Sequence, residues 1–275
     1  MKTKFIKRNL MIYFKDRTGV FFSFLGMFIS LLIYLFFLRE NLMSNFKGIA
    51  HIDQYIDSWM VAGLISIVAV TTALSMFGQK IEDKRLHKID DFRINSQLNE
   101  NQISLLYIIS AMLEGIISTS IFMVICYGYL SLNYRIDLFN LSFLRALLLA
   151  YLLVVFSCTL FNLLTDFLNT ISAFSGLSSV VGTLTGFLSG TYIVYGALPK
   201  FMQHVMDLWP GYQIAGVMRH EILTNTTIKI SPYFDINHEL GIITNWYNAV
   251  LITIVGMIIV LVVMFLKDTQ NTFKR

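Results

Sequence analysis

Six long apolar runs, separated by polar stretches, divide the chain along its whole length. The hydrocarbon core of a bilayer, about 30 Å thick, takes about 20 helical residues to cross, which is close to the length of each run. The pattern therefore predicts an all-α, polytopic membrane protein that forms one transmembrane domain over residues 1–275. Its six transmembrane helices, spans 1 to 6 below, are predicted at Gly19 to Leu38, Ser58 to Gly78, Ile103 to Leu130, Leu144 to Thr165, Ile171 to Tyr195 and Ala249 to Leu266.

The segment before span 1 is amphipathic. At about 100° per residue, residues 4–15 place apolar side chains on one half of a helix and basic side chains on the other. The apolar half holds Phe5, Ile6, Leu10, Ile12, Tyr13 and Phe14, and the basic half holds Lys4, Lys7, Arg8 and Lys15. Residues 1–17 are therefore predicted to form an interfacial helix on the inner leaflet. It either transmits motion into span 1 or serves only as a basic anchor.

The loop between spans 2 and 3, residues 79–101, carries charges of both signs. Within it, apolar residues recur at helical spacing, namely Ile81, Leu86, Ile89 and Phe92. This spacing predicts a short amphipathic helix that presents Leu86, Ile89 and Phe92 to a groove on a partner protein. The alternative is a solvated run of charges that only joins two spans.

Span 5 carries small residues at four-residue intervals, at Ser178, Gly182, Gly186 and Gly190. Such a stripe allows the backbones of two helices to approach closely. The three glycines are therefore predicted to pack against another helix, either at a dimer seam or inside the bundle.

Residues 197–247, between spans 5 and 6, contain all three prolines of the chain, Pro199, Pro210 and Pro232. Apolar residues recur at helical spacing from Leu198 to Leu208, just before the Trp209-Pro210 pair. The pattern predicts an extracellular segment with a short amphipathic element on the outer leaflet, where it would cap a pathway.

The distribution of lysine and arginine orients the spans, because cytoplasmic loops retain basic residues. Six precede span 1, five lie between spans 2 and 3, three follow span 6, and seven lie elsewhere. Both termini are therefore expected in the cytoplasm, in a multi-pass protein of the cytoplasmic membrane. The net charge of +4 then reflects topology, since 56% of the residues are apolar and only 14% are charged. A nucleic-acid partner is not expected.

Motifs for catalysis and for nucleotide or metal binding are missing from the sequence. It has no Gly-x4-Gly-Lys-Ser/Thr loop, no His-Glu-x-x-His pair, no Gly-x-Ser-x-Gly elbow and no Cys-x-x-Cys. Cys126 and Cys158 fall inside predicted spans, where they are expected to be small buried hydrophobes. We therefore expect no catalytic residue, no metal site and no cofactor on this chain.

Glu114 is the one acid predicted near the middle of a span. Placing a carboxylate in hydrocarbon costs several kcal/mol unless it is paired or protonated. Glu114 is therefore a candidate functional residue, for example in proton transfer. The alternative is a structural acid that hydrogen-bonds to hydroxyl groups on neighbouring helices.

The order of these elements resembles the permease subunit of a type-2 ABC exporter over nearly the full length. The segments that carry the resemblance are Asn9-Leu10 through Asp16-Arg17 into Phe21-Phe22-Ser23, then Asp90-Asp91-Phe92-Arg93, Gly190-Thr191-Tyr192, Leu198-Pro199 and Leu208-Trp209-Pro210. In that family, proline often follows the coupling helix, the cytoplasmic helix after span 2 that contacts the ATPase. This chain has Asn95-Ser96 at that place.

The resemblance implies that two permeases pair and that each rests on a cytoplasmic ATP-binding-cassette ATPase, which binds ATP and Mg²⁺. The loop after span 2 would be the coupling helix, with Glu82, Arg85, Leu86, Ile89, Asp90 and Phe92 at the ATPase. Spans 2 and 5 would line the substrate path. Candidate path residues there are Ser66, Thr71, Thr72, Ser75, Ser179, Thr183 and Phe187.

Small hydroxyl and aromatic side chains on this path suit the export of an amphipathic small molecule or a hydrophobic peptide. Polysaccharide or lipid export is the alternative within the family. Three other classes are a gradient-driven transporter that uses Glu114, a membrane-embedded enzyme, and a scaffold without transport. A gradient-driven transporter is expected to have interrupted helices in two related halves. A membrane-embedded enzyme is expected to have convergent catalytic groups. Neither pattern occurs in the sequence.

Overall fold

The computed structural model describes residues 2–46, 51–96, 98–134, 140–224 and 234–273. Within these ranges the chain is helical and contains no strand, which confirms the all-α prediction. Its helices are α1 Lys2–Lys15, α2 Arg17–Ile33, α3 Arg39–Asn45, α4 Ile52–Thr71, α5 Leu74–Arg85, α6 Lys88–Ser96, α7 Glu100–Tyr134, α8 Leu141–Thr165, α9 Ile171–Leu188, α10 Lys200–Asp207, α11 Pro210–Thr224, α12 Phe234–Glu239 and α13 Trp246–Phe273. A π-helical turn at Tyr34–Leu38 joins α2 to α3, and a 3₁₀ turn forms at Tyr195–Ala197.

Six helical stretches among the described residues are long and apolar enough to cross a membrane, which confirms the six predicted spans. Their bounds are Arg17–Ser44, Ile52–Arg85, Glu100–Tyr134, Leu141–Thr165, Ile171–Leu188 and Trp246–Leu266. Span 5 ends seven residues before the predicted Tyr195. The chain turns at Gly190, which has a φ of 65°, the left-handed conformation with which helices commonly terminate. The orientation of the termini stays a prediction.

Spans 2, 3 and 4 form the centre of the bundle. In the most apolar part of each, 78%, 50% and 61% of the residues are buried, whereas the figures for spans 1, 5 and 6 are 11%, 11% and 17%. The three central spans therefore hold most of the core, and the three peripheral spans leave wide apolar faces for lipid or for another chain.

The segment between spans 5 and 6 opens with two helices that differ in burial. The amphipathic α10 lies at the surface of the chain, whereas nearly every residue of α11 is buried among spans 2, 4 and 6. Ser66 of span 2 donates a 2.9 Å hydrogen bond to the Gly211 carbonyl, and the backbone N–H of Ile243 donates one to the Gly216 carbonyl. This helix mixes Tyr, Gln, Arg, His and Glu with small residues, so its hydropathy does not mark it as part of the core.

Arg219 of α11 is fully buried and holds two helix ends together. Its guanidinium donates to the carbonyls of Ser189 and Gly190, just after α9, at 2.9 and 3.0 Å. It also donates to the carbonyls of Leu240 and Gly241, just after α12, at 3.2 Å each. The last carbonyls of a helix lack intrahelical partners and carry partial negative charge. A buried cation at this position therefore satisfies both helix ends at once.

A second buried charge, Asp57, joins spans 1, 2 and 3. One carboxylate oxygen accepts hydrogen bonds from Tyr34 and, at 2.8 Å, from Arg39. The other accepts from Tyr129 and Tyr134 at 2.7 and 2.6 Å. Four donors and one opposite charge offset the cost of removing this carboxylate from water.

Candidate functional site

The basic end of the bundle is where α1 meets the turn between α5 and α6, and the distribution of lysine and arginine predicts it to be cytoplasmic. Its centre is Asp83, which is fully buried. Arg8 of α1 donates two hydrogen bonds to this carboxylate at 2.8 and 3.0 Å. Tyr107 of span 3 and Gln79 of α5 donate to it at 2.6 and 2.9 Å. One carboxylate thus connects α1, span 2 and span 3.

The Arg8 guanidinium is charged at every pH at which the bundle is expected to fold. Its hydrogen bonds to the Asp83 carboxylate raise the pKa of Arg8 above its ordinary value. Planar guanidinium and carboxylate groups that share two hydrogen bonds also restrict each other's orientation. Arg8 therefore fixes the rotation of α1 against the bundle as well as its contact.

Aromatic packing strengthens this junction. The Phe5 ring of α1 contacts the rings of Phe92 and Tyr107 edge to face, with centroids 5.0 and 5.2 Å apart. The Arg8 guanidinium lies 5.0 Å from the centroid of the Phe92 ring. Edge-to-face pairs and cations over rings both attract beyond the area they bury. These contacts hold α6 against α1.

The predicted partner-facing residues separate into two groups. Ile89 and Phe92 are partly buried and pack against the chain's own core, so less of each side chain is open to a partner than the helical spacing predicts. Leu86 is 44% exposed, as expected, and Ile94, which the helical spacing did not select, is 76% exposed. For Phe92 the difference arises because Phe5 and Arg8 of α1 pack against its ring.

The other predicted coupling residues lie beside Leu86. Glu82 and Arg85 form an ion pair at 2.7 Å on the last turn of α5, and Asp90 is exposed in the first turn of α6. His87 between them has a φ of 55°, so the chain turns sharply between the two helices. We call the exposed surface of Glu82, Arg85, Leu86, Asp90 and Ile94 the coupling ridge.

Lys80 connects the coupling ridge to span 4. Its ammonium donates to the side chains of Asn162 and Asp166 at 2.7 Å each, and to Ser104 of span 3 at 3.3 Å. The C-terminal half of α5 is therefore fixed to its neighbours by two charged groups, Lys80 toward spans 3 and 4 and Asp83 toward α1 and span 3. A displacement of the ridge would move spans 2, 3 and 4 together.

The span 2 candidates for the substrate path lie in two places. Ser66 is buried against α11, where it bonds to Gly211. Thr71, Thr72 and Ser75 line a crevice that opens between span 1 and spans 2 and 3. Two adjoining cavities of about 230 and 180 Å³ make up this crevice, and they share the lining residues Tyr13, Ser23 and Ser75.

Glu114 lines the lower of the two cavities and is fully buried. The Ser75 hydroxyl donates to its Oε1 atom, while its Oε2 atom has no hydrogen-bond partner. The Ser75 contact is the kind of hydroxyl bond expected if Glu114 is only a structural acid. A structural role does not account for the Oε2 atom, which has no hydrogen-bond partner.

The span 5 candidates lie elsewhere. Ser179, Thr183 and Phe187 follow one another at four-residue intervals on an exposed face of α9. The crevice beside span 1 contains none of them among its described lining residues. Among the described residues, the crevice therefore holds candidates of span 2 but not those of span 5.

The glycine stripe is interrupted. Gly182 faces open space, since a methyl group there would meet nothing within 4 Å, whereas Gly186 is covered by the ring of Tyr192. Gly190 lies beyond the end of α9 in a left-handed turn and so does not extend the helical stripe. Of the three glycines, Gly182 alone leaves space for another helix.

Asp57, Lys80, Asp83 and Arg219 emerge only from the structure. Span 2 was predicted to begin just after Asp57 and to end a few residues before Lys80 and Asp83. Charged side chains at such positions are ordinarily solvated. Their position beside the predicted span was a usable signal, because a charge there is either exposed or paired. Arg219 had no such signal, since its segment was predicted to be extracellular and no apolar run surrounds it.

Comparison with known proteins agrees with this architecture. A search of curated proteins finds no significant match. The sequence model of the ABC-2 type transporter family matches residues 4–222, from α1 through all but the last residues of α11. That range contains the basic end, the crevice and five of the six spans. The chain therefore belongs to the ABC-2 type transporter family, as a multi-pass permease of an ABC transporter.

Proposed function

We propose that this permease exports an amphipathic small molecule or a hydrophobic peptide, as one of two permeases driven by a separate ATP-binding-cassette ATPase. The observation that carries the proposal is the coupling ridge, an exposed surface on a rigidly fixed helical turn. Apolar side chains beside a charged pair are the composition expected of a site that docks another protein. The ATPase would bind there, and this chain would bind neither ATP nor Mg²⁺.

Force applied at the ridge would reach the membrane-spanning helices through the buried ions. Asp83 ties the ridge to α1 and span 3, and Lys80 ties it to span 4. Asp16 accepts a hydrogen bond from the Gly19 N–H and so caps α2 directly after α1. Movement of the ATPase would therefore tilt α1 and span 1 together, and switch access from one side of the membrane to the other.

The pairing of two permeases would use the exposed face of span 5. Ser179, Thr183 and Phe187 lie on this face, and Gly182 leaves room beside them. A hydroxyl-lined, partly aromatic surface repeated in two chains would enclose a path suited to amphipathic compounds. A homodimer and a pair of related permeases could both form such a path.

Copurification and transport together test the proposal. The chain is expressed with its ATPase, and Leu86→Glu and Ile94→Glu are each expected to lower ATPase recovery at least tenfold and to abolish ATP-driven flux in proteoliposomes. Leu132→Glu is the matched control, because Leu132 is 89% exposed near the opposite end of span 3. Phe92→Ala should instead lower stability, since this ring packs inside the chain.

Three results would contradict the proposal. An ATPase that binds both ridge variants as well as the wild-type chain would place the docking surface elsewhere. A bound ATPase without ATP-dependent movement of any candidate compound would indicate a scaffold. Flux of a polysaccharide or a lipid, with none of amphipathic compounds or hydrophobic peptides, would favour the alternative substrates.

A further inference from the structure

The crevice between span 1 and spans 2 and 3 has a polar half and an apolar half. The lower cavity is lined by polar side chains from α1, α2, α5 and α7, chiefly Asn9, Tyr13, Asp16, Gln79 and Glu114. The upper cavity has no charged residue among its described lining residues, and most of its wall is apolar, from Met27, Leu64, Ile67, Val68 and Phe122 beside serine and threonine hydroxyls. The division matches an amphiphilic molecule whose polar head lies below and whose apolar tail lies above.

The charge of the lower, polar half determines which charge the polar head of the ligand should carry. Asp16 and Glu114 both line it, and its described lining residues include no lysine or arginine. Glu114 is fully buried, and its Oε2 atom has no hydrogen-bond partner. A buried carboxylate without a counter-charge is strongly unfavourable in a membrane protein, and either protonation or a nearby cation relieves that cost. A cation bound in the cavity would supply the missing charge.

An aromatic ring stands beside the carboxylate. Tyr13 lines both cavities, and burial together with the Glu114 carboxylate raises the pKa of the Tyr13 hydroxyl. The hydroxyl therefore stays neutral, and the ring stays electron-rich without carrying a charge of its own. Alkylammonium groups are attracted to such ring faces as well as to carboxylates.

The route into the crevice lies along span 1. Little of this span is buried, and Gly26 at the upper cavity has nothing within 4 Å of where a methyl group would stand. An apolar tail can therefore lie between spans 1 and 2 without displacing a side chain. Entry from the side keeps the tail in an apolar environment throughout.

We propose that this crevice is a binding site for a cationic amphiphile, with its ammonium group at Glu114 and Tyr13 and its alkyl chain along Gly26, Met27 and Phe122. An ammonium amphiphile is one class of the amphipathic substrates proposed above. Whether the bound molecule is then exported rests on that proposed function. Binding itself needs neither ATP nor the ATPase. The same ammonium chemistry is offered by a free amphiphile and by the headgroup of phosphatidylethanolamine.

Equilibrium binding to the purified full chain in a non-ionic maltoside detergent tests the site. The probes are radiolabelled decyltrimethylammonium and its uncharged isostere, in which carbon replaces the ammonium nitrogen, each corrected for uptake by protein-free micelles. Glu114→Gln should weaken ammonium binding at least tenfold and leave binding of the isostere unchanged, since the amide keeps an acceptor for Ser75. Glu40→Gln, at an exposed acid of α3, is the matched control.

A second variant tests the apolar half and does not depend on the folding of the first. Gly26→Leu places a side chain in the upper cavity, and it should weaken the binding of both probes by a similar factor. Equal affinity of the wild-type chain for the two probes, or unchanged ammonium affinity in a folded Glu114→Gln protein, would overturn the proposal. Unchanged binding to Gly26→Leu would overturn the assignment of the tail.

The source of the ammonium and the fate of the proposed function are separate outcomes. Competition by phosphatidylethanolamine but not by phosphatidylglycerol would identify a lipid headgroup as the resident ligand, and absence of competition would identify a free amphiphile. Ammonium binding that depends on Glu114 without any ATP-driven flux would refute export and keep the site. ATP-driven flux of amphipathic compounds with no selectivity for ammonium would support export and refute the ammonium site.

Discussion

Replacing Arg8 with alanine should release α1 from the bundle. The change removes the two hydrogen bonds that the guanidinium donates to Asp83 and leaves the carboxylate buried with Tyr107 and Gln79. Breaking a buried ion pair from one side costs about 3–5 kcal/mol. Arg8 is 27% exposed and Lys88 stays 3.8 Å from the carboxylate, so we expect a smaller cost than for a fully buried pair, about 2–3 kcal/mol.

Hydrogen exchange measures this loss directly, because α1 opens locally without unfolding of the whole bundle. A loss of 2–3 kcal/mol corresponds to exchange of the α1 amides that is faster by about 30-fold to 150-fold, at about 1.4 kcal/mol per tenfold. Amides in the centre of span 4 should keep their protection. Lys7→Ala is the matched control, since Lys7 is an exposed basic residue of the same helix.

The double variant with Asp83→Asn tests the cause. Asparagine at this position removes the buried charge, so Arg8→Ala should cost much less in that background than in the wild-type chain. Protection of α1 that is unchanged by Arg8→Ala would refute the reasoning, as would costs that simply add. Either result would mean that the aromatic contacts of Phe5 hold the helix without the ion pair.

Further predictions concern residues outside this junction. Arg219→Met should lower the thermal midpoint in detergent by several degrees or prevent folding, because four helix-end carbonyls lose their donor. Asp57→Asn should weaken the contact between spans 1 and 3 by about 2–4 kcal/mol, measured as faster exchange in α3, since an amide nitrogen cannot accept the tyrosine hydrogens. Gly182→Ala should stabilise the isolated chain by up to about 1 kcal/mol, whereas Gly186→Ala should not, because its methyl group displaces the Tyr192 ring. A bulkier Gly182→Leu should weaken association of two permeases in crosslinking assays, and unchanged crosslinking would exclude this face as the seam.

Hydropathy and charge determined much of this protein without any structure. The cost of unpaired backbone groups in hydrocarbon leaves helices as the only solution for six apolar runs, and the structure confirms six spans. The amphipathic segment before span 1 also corresponds to a helix, α1. The helical spacing after span 2 is divided between two helices, because Ile81 lies in α5, Leu86 lies in the turn, and Ile89 and Phe92 lie in α6. Periodicity is a local property, so helices that follow from it were predictable.

Tertiary structure decided which faces of those helices are free. The spacing that selected Leu86, Ile89 and Phe92 could not distinguish a side chain that packs against the chain's own core from one open to a partner, because both are apolar. The burial of α11 was equally hidden, since Arg219 looks like a surface residue until two distant helix ends supply its acceptors.

The same distinction applies to the charged residues. Sequence alone identified Glu114 as an acid within a span, because the cost of a charge in hydrocarbon depends only on its depth. The crevice beside it, and the pairing of Asp83 with Arg8, depend on contacts between residues that are distant in the chain. Composition and period therefore determined what crosses the membrane, and long-range packing decided what those helices can bind.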